Sequence, residues 1–144
     1  MRKIIFLIML LSVLTSCNKD NSNPVITDNG LIGTWVLTNI RGTTPQGSVT
    51  ISPDSAVISM TIIMNSDKTG SLSMIQQGQT TNQSFTWITL NGNIILTPTN
   101  GGIGIPLSYT KTGNKINVGF SNILPSISYH GVTVTSLILE FTKQ

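Results

Sequence analysis

Three tight turn signals, each lying between two short apolar runs, constrain the fold more than any other feature of the sequence. They are Asp67-Lys68-Thr69-Gly70, Asn91-Gly92 and Thr112-Gly113-Asn114. Asn-Gly between alternating apolar runs is the strongest local signal for a β-hairpin, and the other two turns follow the same chemistry. No window of the sequence shows a sustained period of 3.6 residues, so we expect little helix.

The sequence around these turns predicts eight strands. Alternation of apolar and polar residues is clear in the second strand and the seventh, and Phe85 and Trp87 form another one-sided pair. In the last strand the alternation changes phase near Thr135-Ser136, which predicts a β-bulge. The predicted strands are Ile32–Ile40, Ala56–Met64, Ser71–Gln77, Asn82–Leu90, Ile94–Thr97, Ile105–Lys111, Lys115–Phe120 and Val132–Lys143.

The connections between these strands alternate between tight and longer ones. The longer connections are Arg41–Ser55, Pro98–Gly104 and Ser121–Gly131, and Gly78–Thr81 is of intermediate length. In an up-and-down antiparallel arrangement, the tight turns would then gather at one end and the longer loops at the other. We therefore predict an all-β domain, an eight-stranded antiparallel up-and-down barrel whose interior is filled or holds one small ligand. A β-sandwich of similar length is the alternative.

The first residues have the pattern of a secretory signal. Met1-Arg2-Lys3 is cationic, Ile4–Leu14 is apolar, and small residues precede Cys17. The apolar run is shorter than the roughly 20 residues that span a bilayer. Removal of residues 1–16 lowers the formal charge from +3 to +1, because Arg2 and Lys3 are lost. A nucleic-acid partner is therefore not expected.

Leu14-Thr15-Ser16-Cys17 resembles the lipobox of bacterial lipoproteins. The resemblance implies a diacylglycerol on the Cys17 thiol, cleavage before Cys17, and acylation of the new amino terminus, which together anchor a protein stably to a membrane. Cys17 is the only cysteine in the chain, so disulfides and cysteine-rich metal sites are excluded.

Residues 17–30 are interpreted as the lipidated terminus and a flexible tether. Asn18–Gly30 is rich in Asn and Asp, holds Pro24 and shows no apolar periodicity. In the lipoprotein pattern, an aspartate after the lipidated cysteine favours the inner membrane. Asn18 stands there instead, which implies the outer membrane, with the periplasmic or the surface face left open. The β domain is expected to span residues 31–144.

Leu31-Ile32-Gly33-Thr34-Trp35 resembles the Gly-x-Trp start of lipocalins and of short bacterial lipocalin-like lipoproteins. In that pattern Gly33 lets the chain turn into the barrel and Trp35 plugs its closed end. Lipocalins proper also place an arginine late in the chain over this tryptophan. The only arginine of the mature chain, Arg41, lies on the wrong segment, and Lys143 would substitute for it only loosely.

Residues that could carry out catalysis are few, so the chain is not expected to be an enzyme or to bind a metal or cofactor. Acid–base and nucleophilic mechanisms need a proton carrier close to its partner, and Asp54 has no histidine near it in the sequence. Glu140 lies among inward-facing apolar residues on the last strand and is expected to point to solvent. The residues that bind zinc or calcium do not cluster.

Asp54-Ser55-Ala56 resembles a three-residue O-glycosylation signal of some Gram-negative bacteria, which would place a glycan on Ser55. A local turn with Pro53 is the alternative interpretation of Asp54.

Two functions are compatible with this sequence. The first is binding of a small apolar or amphipathic ligand at the loop-rimmed end, and the second is a non-catalytic interaction with a protein or glycan of the cell envelope. Methionine and aromatic side chains line adaptable apolar pockets, although they also fill ordinary cores. The candidate cavity residues are Met60, Met74, Trp87, Tyr109 and Phe120.

Overall fold

A computed structural model of the chain describes residues 28–120, 127–129 and 132–144. The predicted signal segment, Cys17 and residues 18–27 of the predicted tether lie outside the described residues. The described elements are a turn of 3-10 helix (Asp28–Gly30), one short helix α1 (Pro53–Ala56) and ten strands. The strands are β1 (Gly33–Thr44), β2 (Gly47–Ile51), β3 (Ile58–Met64), β4 (Thr69–Gln76), β5 (Gln79–Leu90), β6 (Asn93–Pro98), β7 (Ile105–Thr112), β8 (Lys115–Gly119), β9 (Ile127–Tyr129) and β10 (Val132–Lys143).

Eight of these strands form a closed antiparallel barrel, which confirms the predicted fold over the sandwich alternative. Neighbouring strands follow the order β1-β3-β4-β5-β6-β7-β8-β10, and the barrel closes because β10 also pairs with β1. Each of the eight predicted strands corresponds to one of them. Closure gives each of the eight strands a pairing partner on both sides.

The two additional strands extend the wall beyond the barrel. The first half of β1 pairs with β3, whereas its second half pairs with β2. In the same way, β10 pairs with β8 near its end and with β9 near its start. Because β1 and β10 are each twelve residues long, they continue past their barrel partners. The strands β2 and β9 lie in predicted connections, where the sequence analysis expected no strand.

The turns divide the barrel into two ends. The connections β3–β4, β5–β6 and β7–β8 contain the three predicted tight turns and lie together at one end, hereafter the closed end. Asn91 and Gly92 both have positive φ, 50° and 74°, as a type I′ hairpin turn requires. At the other end, hereafter the open end, β4 and β5 are also joined by a two-residue turn, Gln77-Gly78, which is shorter than predicted.

The last strand contains the predicted bulge. Opposite β1, Arg41 pairs with Ile138 and Thr43 pairs with Thr135, so β10 has one more residue than β1 in this interval. Ser136 lies within it with a φ of 53°. Val134 and Leu137, which lie on the two sides of the bulge, are both buried. The extra residue therefore allows the apolar side chains on both sides of the bulge to face the interior.

The core fills the inside of the barrel, and its fully buried apolar side chains come from β1, from every strand between β3 and β8 except β4, and from β10. Trp35, Trp87 and Phe141 are each at most 1 % exposed. β4 contributes Gly70 instead, which faces the ring of Phe85 across the β4–β5 pairing. The space that Gly70 leaves is therefore occupied by an aromatic ring.

Replacing Gly70 with alanine is expected to lower the free energy of unfolding by about 1–3 kcal/mol, the usual cost of overpacking. A Cβ atom at this position would lie 2.5 Å from the carbonyl oxygen of Ile63 and 2.6 Å from Cζ of Phe85. Urea denaturation measures the change. Gly30→Ala is the control, because a Cβ atom there meets only the flexible Lys111 side chain, at 3.4 Å. Equal stability of Gly70→Ala and wild type would contradict the expectation.

Candidate functional site

The closed end is sealed around Trp35, the tryptophan of the Gly-x-Trp segment. Its Nε1 donates a 2.7 Å hydrogen bond to the carbonyl oxygen of Leu31, which is itself fully buried. Gly33 has a φ of 134°, and a Cβ atom there would lie 2.6 Å from Cε of Lys143. The Nζ of Lys143 lies 5.6 Å from the centre of the Trp35 ring, within the range of a cation–π interaction. Lys143 thus lies over the Trp35 ring at the closed end.

Trp87 also lies at the closed end, although the sequence analysis assigned it to a ligand cavity. It is 1 % exposed, and its Nε1 donates a 3.1 Å hydrogen bond to the carbonyl oxygen of Thr69. The Nζ of Lys68 lies 4.1 Å from the centre of the indole ring. The structure therefore places Trp87 in the seal of the closed end.

The segment before β1 is bound to this end of the barrel. Asp28 accepts hydrogen bonds from Lys68 and from the hydroxyl of Thr89, the latter at 2.6 Å. The hydrogen bond from Lys68 is the main cause that lowers the pKa of Asp28, and the bond from Thr89 lowers it further. The sequence analysis assigned Asp28–Gly30 to the tether, whereas in the structure these residues pack against the barrel.

Tyr109 lies near the same end. It is half-buried and packs against the core. Burial raises the pKa of its hydroxyl, and the negative charge of Asp28 raises it further. Tyr109 therefore remains a neutral phenol at physiological pH.

The three other candidate residues lie at the open end. Met60 and Met74 are directly opposite each other in the β3–β4 pairing. Phe120 follows β8, and its amide donates a 2.8 Å hydrogen bond to the carbonyl oxygen of Leu137. All three side chains are half-buried and pack against the core. The structure therefore divides the five candidates between the two ends and does not bring them into one cavity.

The barrel interior contains a cavity of about 20 Å³, lined by apolar side chains that include Trp35, Met64 and Phe141. None of the five candidates lines it. A cavity needs about 10–15 Å³ to hold a single water molecule, so this one is far too small for an organic ligand. A ligand of this barrel would therefore have to bind outside this cavity.

Ser55 lies in helix α1, near the open end of the barrel, and is exposed. Its amide donates a 3.2 Å hydrogen bond to Oγ of Ser52, and the two hydroxyls are 2.7 Å apart. Ser52 is therefore the N-cap of α1. Glycosylation of Ser55 remains a prediction.

Glu140 forms a polar network that the sequence analysis missed. Its side chain lies on the outer face of the barrel, as expected, yet it is only 3 % exposed. Asn39 donates a 2.8 Å hydrogen bond to its Oε1, Lys115 approaches the same oxygen at 3.2 Å, and Arg41 forms an ion pair with Oε2. The expectation that Glu140 points to open solvent is therefore wrong.

The network brings together residues of three neighbouring strands. Strand pairing places Asn39 and Glu140 opposite each other, and the bulge near Thr38 shifts the register of β1 against β10. The hydrogen bond from Asn39 is the main cause that lowers the pKa of Glu140, and Lys115 and Arg41 lower it further, while burial opposes them. The partners lie about 100 and 25 residues from Glu140 in the sequence, so no local pattern signals the network.

The described residues contain no group of three or more histidine, cysteine, aspartate or glutamate side chains placed to bind a metal ion. Within the same residues, no helix is long and apolar enough to cross a membrane.

Comparison of the chain with family models, with curated proteins and with solved structures gives no significant match.

The free energy of unfolding is expected to fall as the pH drops below about 4.5, the ordinary pKa of a glutamate. A carboxyl group whose pKa is lower in the folded state stabilises the protein above its unfolded pKa, and this contribution is lost as the pH falls through the folded pKa. Glu140→Gln should therefore cost about 1–3 kcal/mol at neutral pH and weaken the acid dependence.

Urea denaturation at a series of pH values between 3 and 7 checks this expectation. Asp54→Asn is the matched control, because Asp54 is an exposed carboxylate in α1 and is not one of the residues bonded to Glu140. If Glu140→Gln showed the same acid dependence as wild type, the network would not contribute to it.

Proposed function

We propose that this chain is a lipid-anchored protein of the bacterial outer membrane whose barrel binds a small amphipathic molecule at its open end, without catalysing a reaction. Incomplete burial of three apolar side chains at the open end, beside the buried Val134 and Leu137, supports this proposal most directly. At the closed end Leu31, Trp35 and Trp87 are at most 1 % exposed, whereas Met60, Met74 and Phe120 at the open end are only half-buried.

The size of the interior cavity sets where such a ligand binds. Because the interior cavity is only about 20 Å³, the apolar part of the ligand lies against Met60, Met74 and Phe120 and does not enter the barrel deeply. Methionine side chains are unbranched and polarisable, so a pair of them adapts to ligands of different shape. The polar part of the ligand faces solvent at the rim.

The anchor is proposed from the lipobox-like segment that ends at Cys17. An attached diacylglycerol together with an amino-terminal acyl chain is sufficient for stable membrane anchoring. Asn18 supports the outer membrane as the destination, as the resemblance implies.

The roles of the described carboxylates support a function without catalysis. Asp28 and Glu140 are bound to basic side chains, and Asp67 accepts hydrogen bonds from Thr69 within the β3–β4 turn. Each of these three groups stabilises the barrel in its ionised form. A general acid or base would instead need a pKa close to the working pH.

A second candidate function is an interaction with a protein or glycan of the envelope, and it is favoured by the filled interior. The strands β3 to β6 contain no charged residue. Their outer faces expose Ile63, Ile75 and Ile88 among serine and threonine side chains. A protein that used its barrel as a rigid scaffold for this surface would need no cavity.

Binding of a hydrophobic fluorescent probe, N-phenyl-1-naphthylamine, tests the first function. All of the buried core residues lie between Leu31 and Phe141, so a chain that begins at residue 18 retains the complete core and avoids detergent. We expect the wild-type chain to bind the probe with micromolar affinity. Met60→Glu should weaken binding at least tenfold, because it places a charge among apolar side chains.

The matched control is Ser59→Glu, which places the same charge one residue away on the outer, exposed face of β3. It should bind the probe as wild type does, and circular dichroism should show that both variants are folded. Absence of probe binding by the wild-type chain, or equal binding by the two variants, would contradict ligand binding at the open end and favour the interaction function.

Metabolic labelling with an alkyne palmitate tests the anchor. The full-length chain should incorporate the label and fractionate with the outer membrane, whereas Cys17→Ser should do neither, because the thioether bond needs the cysteine sulfur. Equal labelling of both proteins would contradict lipidation at Cys17.

A further inference from the structure

The structure fixes the point at which the barrel is joined to its proposed anchor. The 3-10 turn Asp28–Gly30 lies at the closed end, where Asp28 is bound to Lys68 and Thr89. A chain that comes from Cys17 therefore reaches the barrel at the closed end, on the side opposite to Met60 and Met74.

The length of the connection limits how the barrel can be oriented. Ten residues separate Cys17 from Asp28, and a fully extended chain of ten residues spans at most about 36 Å. Strand β5 has twelve residues, which corresponds to about 40 Å along the strand and about 30 Å along the axis of a barrel with tilted strands. If the open end faced the membrane, the connection would have to run almost fully extended along the whole barrel.

The distribution of charged residues also favours an orientation in which the closed end faces the membrane. All lysines of the described residues lie in or beside the connections and strand ends of the closed end, and they outnumber the carboxylates beside them, Asp28, Asp67 and Glu140, by one. These lysines are Lys68, Lys111, Lys115 and Lys143. The open end has the acidic residue Asp54 in α1 and the basic residue Arg41 late in β1, so its formal charges cancel. The closed end is thus the more positive of the two.

An exposed apolar side chain accompanies these lysines. Leu90 is 53 % exposed and immediately precedes the Asn91-Gly92 turn at the closed end. Lysines beside an exposed leucine are the combination that favours contact with the interface of an anionic membrane. Each contact is weak alone, but the anchor keeps the surface at a high effective concentration.

We propose that the closed end docks on the anionic headgroup surface of the membrane that holds the anchor, so that the open end faces away from the membrane. This inference rests on the proposed lipidation of Cys17. It also sets the direction from which the open end is reached, because a ligand or partner would approach from the aqueous side and not from the bilayer.

The test uses full-length lipidated protein in vesicles of phosphatidylcholine with one third phosphatidylglycerol. One dye is attached at Asn91→Cys, beside the closed-end turn, and in a second protein at Asn100→Cys, in the exposed connection at the open end. Energy transfer to a headgroup-labelled lipid should be at least threefold more efficient from position 91. Equal transfer from both positions, or stronger transfer from position 100, would overturn the proposed orientation.

The contribution of charge is measured in vesicles of phosphatidylcholine alone and at 0.5 M salt. Under both conditions the difference in energy-transfer efficiency between positions 91 and 100 should decrease at least twofold, since the negative charge of the vesicle surface is removed or screened. An unchanged difference would overturn docking on anionic headgroups. Leu90→Gln should also reduce the difference, whereas its matched control Ile105→Gln, an exposed apolar residue at the open end, should not.

The mass of the labelled protein separates failure of the anchor from failure of the orientation. A lipidated chain carries its acyl groups and one dye, because the Cys17 thiol is consumed. A chain that carries two dyes and no lipid would overturn the proposed anchor, and this inference with it.

Discussion

The pairing of β1 with β10 is the interaction on which the rest of the structure depends. It joins the first strand to the last and converts an eight-stranded sheet into a closed barrel. Without it both strands would have unpaired edges, and Trp35 and Phe141, which face the interior from these two strands, would lose their cover. The pairing is also the most distant in sequence, so its formation carries the largest loop-closure cost. The bulge at Ser136 is part of this pairing, because it keeps the apolar residues of β10 directed inward on both sides of the phase change.

The same two strands produce the difference between the ends of the molecule. At the closed end, the Trp35 indole is bonded to Leu31 and covered by Lys143, and Trp87 is covered by Lys68. At the open end, β1 and β10 continue past the barrel and pair with β2 and β9, while Met60 and Met74 remain only partly covered. The interior cavity of about 20 Å³ leaves no room for an organic ligand, so the proposed ligand would bind at the end where burial is incomplete.

Much of the fold was accessible from the sequence, whereas the grouping of site residues was not. Alternation and turn chemistry are local, and they predicted the eight barrel strands, the positions of the three tight turns and the bulge. The same local information could not show that Trp87 and Tyr109 lie at the end opposite to Met60. Alternation predicts which side chains face the interior, but it does not predict their positions along the barrel axis. The strands β2 and β9 were missed since they form only by pairing with the extended halves of β1 and β10.

The sequence by itself determined the antiparallel strands and their tight turns and favoured a barrel over a sandwich, because strand alternation, Asn-Gly turns and the phase change at Thr135-Ser136 act within a few residues. Only the tertiary structure decided how full the barrel is, which end is sealed, and that Glu140 is a buried carboxylate held by Asn39, Lys115 and Arg41. These properties depend on contacts between residues as many as a hundred positions apart, and such contacts exist only once the strands are in register.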